Sequence, residues 1–142
     1  MTENGARLLL FAAILFVCQG QEVSSVAANL IITNNPLVAA REGARFYPEA
    51  TLLEVLTMVR DLVHQNYRLI THPLAGSVKP NQTPYKSVIL SAEPGHELDY
   101  TSLQLVEGSL QVAQRMLSER PLPAITPRVL ADFALIDSEL IR

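Results

Sequence analysis

The densest chemistry in this sequence lies at residues 71–84, Thr71-His72-Pro73-Leu74-Ala75-Gly76-Ser77-Val78-Lys79-Pro80-Asn81-Gln82-Thr83-Pro84. One short segment brings together the His72 imidazole, the Ser77 and Thr83 hydroxyls, the Lys79 ammonium, the Asn81 and Gln82 amides and a glycine, Gly76. Lys86 and Ser87 follow just beyond. Such a set suits a small anion: backbone N–H groups near Gly76 and Ser77 cradle its oxygens, while Lys79 or Lys86 supplies charge. A second polar connection, Thr33-Asn34-Asn35-Pro36, follows an apolar run and adds two amides. The candidate ligand-binding residues are therefore Asn34, Asn35, His72, Gly76, Ser77, Lys79, Asn81, Thr83 and Lys86. The plainer reading is turn chemistry, because prolines and asparagines form turns and hydroxyls bond nearby backbone.

Catalysis has less to work with. A modest shift would bring His72 into the range of a general base at neutral pH. Spacing sets no nucleophile or acid beside it, and no catalytic residue is assigned. A small enzyme using His72 with Lys79 or Lys86 on an acyl or phosphoryl group is the second reading. His64 falls on the polar face of a helix and His96 in a turn. The three histidines lack the HExxH spacing of a zinc site, and Cys18 is the only cysteine, which excludes an internal disulfide and a multi-cysteine metal site. No Walker-type loop or dinucleotide-type glycine pattern is present, and no cofactor is expected. The sequon at Asn81-Gln82-Thr83 is followed by Pro84 and reads as coincidence.

Positioning these residues requires a folded core, and the composition supplies one. Of 142 residues, 49% are hydrophobic and 18% charged, the balance of a globular chain rather than a disordered one. The net charge of -3, the scattered basic residues and the absence of tryptophan argue against a nucleic-acid partner.

Along the chain, residues 29–33 (Asn29-Leu30-Ile31-Ile32-Thr33) read as a buried strand stopped by Asn34-Asn35-Pro36. Residues 37–42 suit a brief helix ended by Gly43, and 44–47 a second strand. Thr51 and Glu54 form a capping box. Beyond it Leu52, Val55, Leu56, Val59, Leu62 and Val63 recur at helical spacing on one apolar face. Residues 67–71 and 85–91 have strand character. A long helix is expected over about 100–119, boxed by Thr101 and Gln104, with Leu103, Val106, Leu110, Ala113 and Leu117 as its stripe. Thr126 before Pro127 opens a last helix carrying Leu130, Phe133, Ala134, Leu140 and Ile141 on one side. The alternation predicts an α/β fold: a small, mostly parallel sheet of about four strands covered by helices, in a single domain over 29–142. In such a sheet ligands sit beyond the carboxyl ends of the strands, so both polar connections are expected at one rim.

Residues 1–28 form an apolar leader and linker. Arg7, the run from Leu8 to Val17 and the small residues after it make a passable export signal, too short for a comfortable membrane span of about 20 residues. The alternative is a translation start nearer Val23 or Val26. A membrane association is expected only if residues 8–18 are a genuine leader.

Two stretches together, Ile31-Ile32-Thr33-Asn34-Asn35-Pro36-Leu37-Val38 and residues 69–87 from Leu69-Ile70-Thr71-His72 to Tyr85-Lys86-Ser87, resemble the GrdX family. These are small proteins encoded alongside the selenium-dependent glycine, sarcosine and betaine reductases of anaerobic amino-acid fermenters. The likeness spans about residues 30–114 with the same element order, including Leu98-Asp99-Tyr100 at the start of the long helix. It implies an uncharacterised accessory role near the reductase system, in the cytoplasm, and transfers no catalytic residue. The partners expected for such a role are a reductase subunit or the small anionic metabolite that the polar residues suit, met through the 71–87 connection. An exported α/β module is the alternative. The apolar leader and the helix after Pro121 stand as departures from the family pattern.

Overall fold

A computed structural model of the protein describes residues 27–142. The apolar run at 8–18, Cys18 and the candidate start sites Val23 and Val26 lie outside them.

Three strands form the sheet: β1 (Leu30–Thr33), β2 (Ala44–Phe46) and β3 (Ser87–Leu90). They lie in the order β2-β1-β3. β1 runs parallel to β2, pairing Ile31 with Ala44, and antiparallel to β3, pairing Thr33 with Ser87 and Leu30 with Leu90. The sheet is thus small and mixed, and the expected four-stranded, mostly parallel sheet is corrected on both counts. The 72–86 connection enters β3 from the rim where β1 ends, so the two strands run in opposite directions. The fourth strand, expected at 67–71, is reduced to one bridge between Leu69 and Leu90. Its ladder stops there because the Thr71 hydroxyl, not a carbonyl, accepts the Ile89 N–H, at 2.9 Å. Between β1 and β2 the expected short helix is replaced by a chain of turns. Val38, Arg41 and Ala44 each donate to the carbonyl three residues back, the bond spacing of turns and 3₁₀ structure rather than of an α-helix. Gly43 closes the chain at φ +81°, where a Cβ would stand 2.0 Å from the Asn29 carbonyl oxygen.

Three helices complete the fold: α1 (Leu52–His64), α2 (Tyr100–Glu119) and α3 (Pro127–Leu140). Thr51 caps α1 by accepting the Glu54 N–H at 3.2 Å. Asp99, not the expected Thr101–Gln104 box, caps α2 by accepting the Ser102 N–H at 3.2 Å. Thr126 caps α3, with Pro127 in its first turn.

The period-two pattern of the strands sorts the core into two faces. Leu30, Ile32, Val88 and Leu90 pack against Val55, Leu56, Val59 and Val63 of α1 and Val106, Leu110 and Ala113 of α2. Each such side chain contributes about 1.5–3 kcal/mol when fully buried, so this side carries most of the stability. The opposite face is thinner: Ile31 meets Val38 and Ile141, with Ala44 and Ile89 beside them. Here α3 crosses the sheet rim. Its last carbonyls are held by Arg41, whose Nη1 donates to Ile141 O at 3.0 Å and Nη2 to Ser138 O at 2.8 Å. Among the described residues no helix is long and apolar enough to cross a membrane.

Candidate functional site

The two polar connections meet at the rim formed by the end of β1 and the start of β3. Asn34 joins them. Its Oδ1 accepts the Lys86 N–H at 2.8 Å, and its Nδ2 donates to Pro84 O at 2.8 Å and Ala50 O at 2.9 Å. These bonds fill most of its capacity. The Asn34 side chain therefore holds backbone in place and has little left for a ligand.

Behind Asn34 lies a buried polar chain. Thr33 and Ser87 face each other in register, with their hydroxyls 2.7 Å apart. Ser87 Oγ donates to Asp137 Oδ2 at 2.6 Å, which spends its one proton, so Thr33 donates to Ser87. Thr33 Oγ1 in turn accepts the Asn35 N–H at 2.9 Å. The Asp137 carboxylate, on the inner side of α3, takes two further bonds: Ser87 N–H to Oδ1 at 3.1 Å and Asn35 Nδ2 to Oδ2 at 2.9 Å. Asn35 Nδ2 also reaches Ala134 O at 2.7 Å, while its Oδ1 accepts the Leu37 N–H at 3.0 Å.

Lys86 stands apart from this saturated set. Only 6% of it is exposed. Yet among the described residues its ammonium makes no hydrogen bond, and no ion pair within 4 Å includes it. Burial pushes it below the ordinary lysine range, and the nearby Asp137 charge partly opposes that shift. Lys86 and Asp137 line the same small cavity of about 10 Å³, closed by Ala75, Val78, Thr83 and Phe133 among others.

Two larger depressions flank that cavity. An open groove of about 900 Å³ is lined by Ser77, Lys79, Asn81 and Gln82 from the 72–86 connection and by Glu119, Arg120 and Thr126 from the end of α2 and the segment after it. Val78 and Phe133 belong to both the groove and the inner cavity. A second, mostly apolar groove of about 570 Å³ lies on the other side, sharing Thr83 and Tyr85 with the inner cavity.

The candidate residues thus separate into four places. Asn34, Asn35, Thr83 and Lys86 are buried at the rim. Ser77, Lys79 and Asn81 line the open groove, where Lys79 N–H bonds Gln82 Oε1 at 2.9 Å and Asn81 Nδ2 bonds Met116 O at 3.3 Å. Gly76 lies against Leu140 of α3. His72 joins neither the rim nor the grooves: it is exposed, and its Nδ1 accepts the Leu74 N–H at 3.0 Å. His72, Lys79 and Lys86 therefore share no cavity.

Asp137 and Arg120 were missed from sequence. Asp137 left a legible signal: it falls seven residues after Leu130, three after Ala134 and four before Ile141, on the apolar stripe of its helix. A charge at such a position needs a buried partner. Arg120 left none, because only the fold brings it into one groove with Lys79. No group of three or more histidine, cysteine, aspartate or glutamate side chains among the described residues is arranged to hold a metal ion.

Residues 30–142 match the family model described as GrdX-like protein. The match runs through α3, which corrects the expectation that the helix after Pro121 departs from the family pattern. No curated protein and no solved structure matches the chain.

Proposed function

The chain belongs to the GrdX-like protein family, and from that membership we propose that it serves as a cytoplasmic accessory protein of a glycine-reductase-type system, binding a small anionic metabolite in its open groove. The observation that carries this reading is the presence of Lys79 and Arg120 in the lining of one groove whose other polar groups include Ser77, Gln82 and Thr126. The backbone N–H of Ser77 donates to no protein acceptor among the described residues, which leaves it free for an anion oxygen. Glu119 in the same groove limits the excess positive charge and favours a ligand of low charge. A reductase subunit docking over the same loop is the macromolecular form of this role.

The test is thermal unfolding with acetate, inorganic phosphate and acetyl phosphate, each against sodium chloride at equal ionic strength. A ligand at ten times its Kd stabilises by about 1.4 kcal/mol, which raises Tm by roughly 5 °C in a domain of this size. The double variant Lys79→Ala/Arg120→Ala should lose that rise while keeping the unliganded Tm. No rise with any of the three anions at millimolar concentration, together with no co-elution with purified reductase subunits, would overturn the proposal. The enzymatic reading with His72 gains no support, since that imidazole lies away from both lysines.

A further inference from the structure

The environment of Asp137 has the form of a carboxylate receptor whose ligand happens to be covalently attached. Ser87 N–H and Oγ–H and the Asn35 amide converge on one carboxylate, at 3.1, 2.6 and 2.9 Å. Two of these donors belong to Ser87 in β3 and the third to Asn35 just beyond β1, and the Thr33 hydroxyl orients Ser87 from behind. The carboxylate alone belongs to α3. Beside the cradle, on the same cavity, sits Lys86, a residue only 6% exposed whose ammonium makes no hydrogen bond or ion pair yet keeps a path to solvent. Drawing an ammonium largely out of bulk water without giving it an acceptor costs free energy that a purely structural latch does not need. That placement becomes useful when the cradle accepts a carboxylate free to sit closer to the amine than the tethered Asp137 does.

α3 is also the helix least committed to the core. Its buried side chains are Ala134, Asp137 and Ser138, followed by Ile141 at its C-cap, whereas α1 buries five apolar residues. A 14-residue helix of this kind has little stability alone, so its docking depends on the Asp137 and Arg41 bonds. The non-helical 120–126 segment that leads into it gives it freedom to leave without disturbing α2.

We propose that Asn35, Ser87 and Lys86 form a binding site for a small monocarboxylate, that Asp137 is its built-in occupant, and that ligand entry and undocking of α3 are the same event. This site is separate from the open groove and goes beyond the role assigned to Lys79 and Arg120.

The experiment uses the full chain as wild type and as Asp137→Ala, with sodium formate and acetate as probes and sodium chloride as the ionic control. Thermal unfolding and amide hydrogen exchange across α3 are the readouts. In Asp137→Ala, formate fills the emptied position, so it should raise Tm by several degrees beyond chloride and slow exchange in α3. In the wild type, formate competes with Asp137, so exchange in α3 should accelerate, by about tenfold at ten times Kd for the open form, with α1, α2 and β1 unchanged. The opposite signs in the two proteins are the signature of competition for one site. Adding Ser87→Ala to Asp137→Ala should abolish the formate response. Adding Lys79→Ala/Arg120→Ala should leave it intact, and its loss there would put the carboxylate in the groove and overturn the cradle. If Asp137→Ala fails to fold, Asp137→Asn keeps the position filled but replaces one acceptor by a donor facing Asn35, so formate there should compete as in the wild type and accelerate α3 exchange at lower concentration. Equal effects of formate and chloride on the Asp137 variants, or unchanged α3 exchange in the wild type at saturating formate, would reduce Asp137 to a structural latch and end the proposal.

Discussion

At the scale of single residues, Asn34 shows how a side chain that looks available for a ligand can be committed to backbone. Truncating it in Asn34→Ala leaves the Lys86 N–H and the Ala50 and Pro84 carbonyls without partners. The expected loss is about 3 kcal/mol, at 1–3 kcal/mol for each buried group left unsatisfied, measured by urea unfolding. Lys86 has the opposite character. Its proton affinity is lowered in the folded state, so between its folded and unfolded pKa values the unfolded chain binds more protons and stability rises with pH. Lys86→Met removes that charge. The variant should therefore be more stable than wild type at neutral pH, with the difference shrinking as pH approaches 10. A difference that grows with pH would contradict this assignment. Both residues were legible as candidates in the sequence, since polar side chains beside a strand end attract attention. Their roles were not legible, because whether an amide faces backbone or solvent depends on a chain segment about 50 residues away.

At the scale of elements, the helices were the most readable part. α1 and α2 carry their apolar residues at helical spacing, and their burial follows that pattern. Caps were readable where only one candidate existed, as at Thr126 before Pro127. At the start of α2, Asp99 competed with Thr101 and prevailed, because its short carboxylate reaches both the Ser102 N–H and the Ser102 hydroxyl. Asp99→Ala should cost about 1 kcal/mol, the usual value of an N-cap, seen as a lower urea midpoint. The 67–71 segment looked like a strand because its residues are those of strands. It failed to become one because a ladder needs a partner carbonyl at each step, and Thr71 answers Ile89 with a hydroxyl. Gly76 belongs at this scale too. At φ +102°, with a Cβ position 2.6 Å from Leu140 Cδ1, it lets the connection lie flat against α3. Gly76→Ala should cost about 1–3 kcal/mol of backbone strain. Leu140→Ala in the same chain would relieve the contact but not the strain, so only partial recovery of Tm is expected.

At the scale of the whole molecule, the α/β class followed from alternating elements, but strand direction did not. Apolar runs of four residues look the same whichever way they point, and the direction of β3 depends on which rim the 72–86 connection reaches. The two faces of the sheet also differ in strength, with the α1–α2 side holding the larger apolar cluster and the α3 side relying on polar bonds. Native-state hydrogen exchange should therefore divide the molecule in two. Amides of β1, α1 and α2 should open only with global unfolding, and those of α3 at a free energy several kcal/mol lower. A single opening energy across all helices would show that the two sides unfold together.

The Arg41 clamp joins residues 97 and 100 positions apart in the chain. It therefore has a place in time as well as in space. Chains emerge from the ribosome N-terminus first, so Arg41, Asn35 and Ser87 are all made before the helix they hold. The clamp can close only once the last residues of the chain exist, and docking of that helix is therefore expected as the final step of folding.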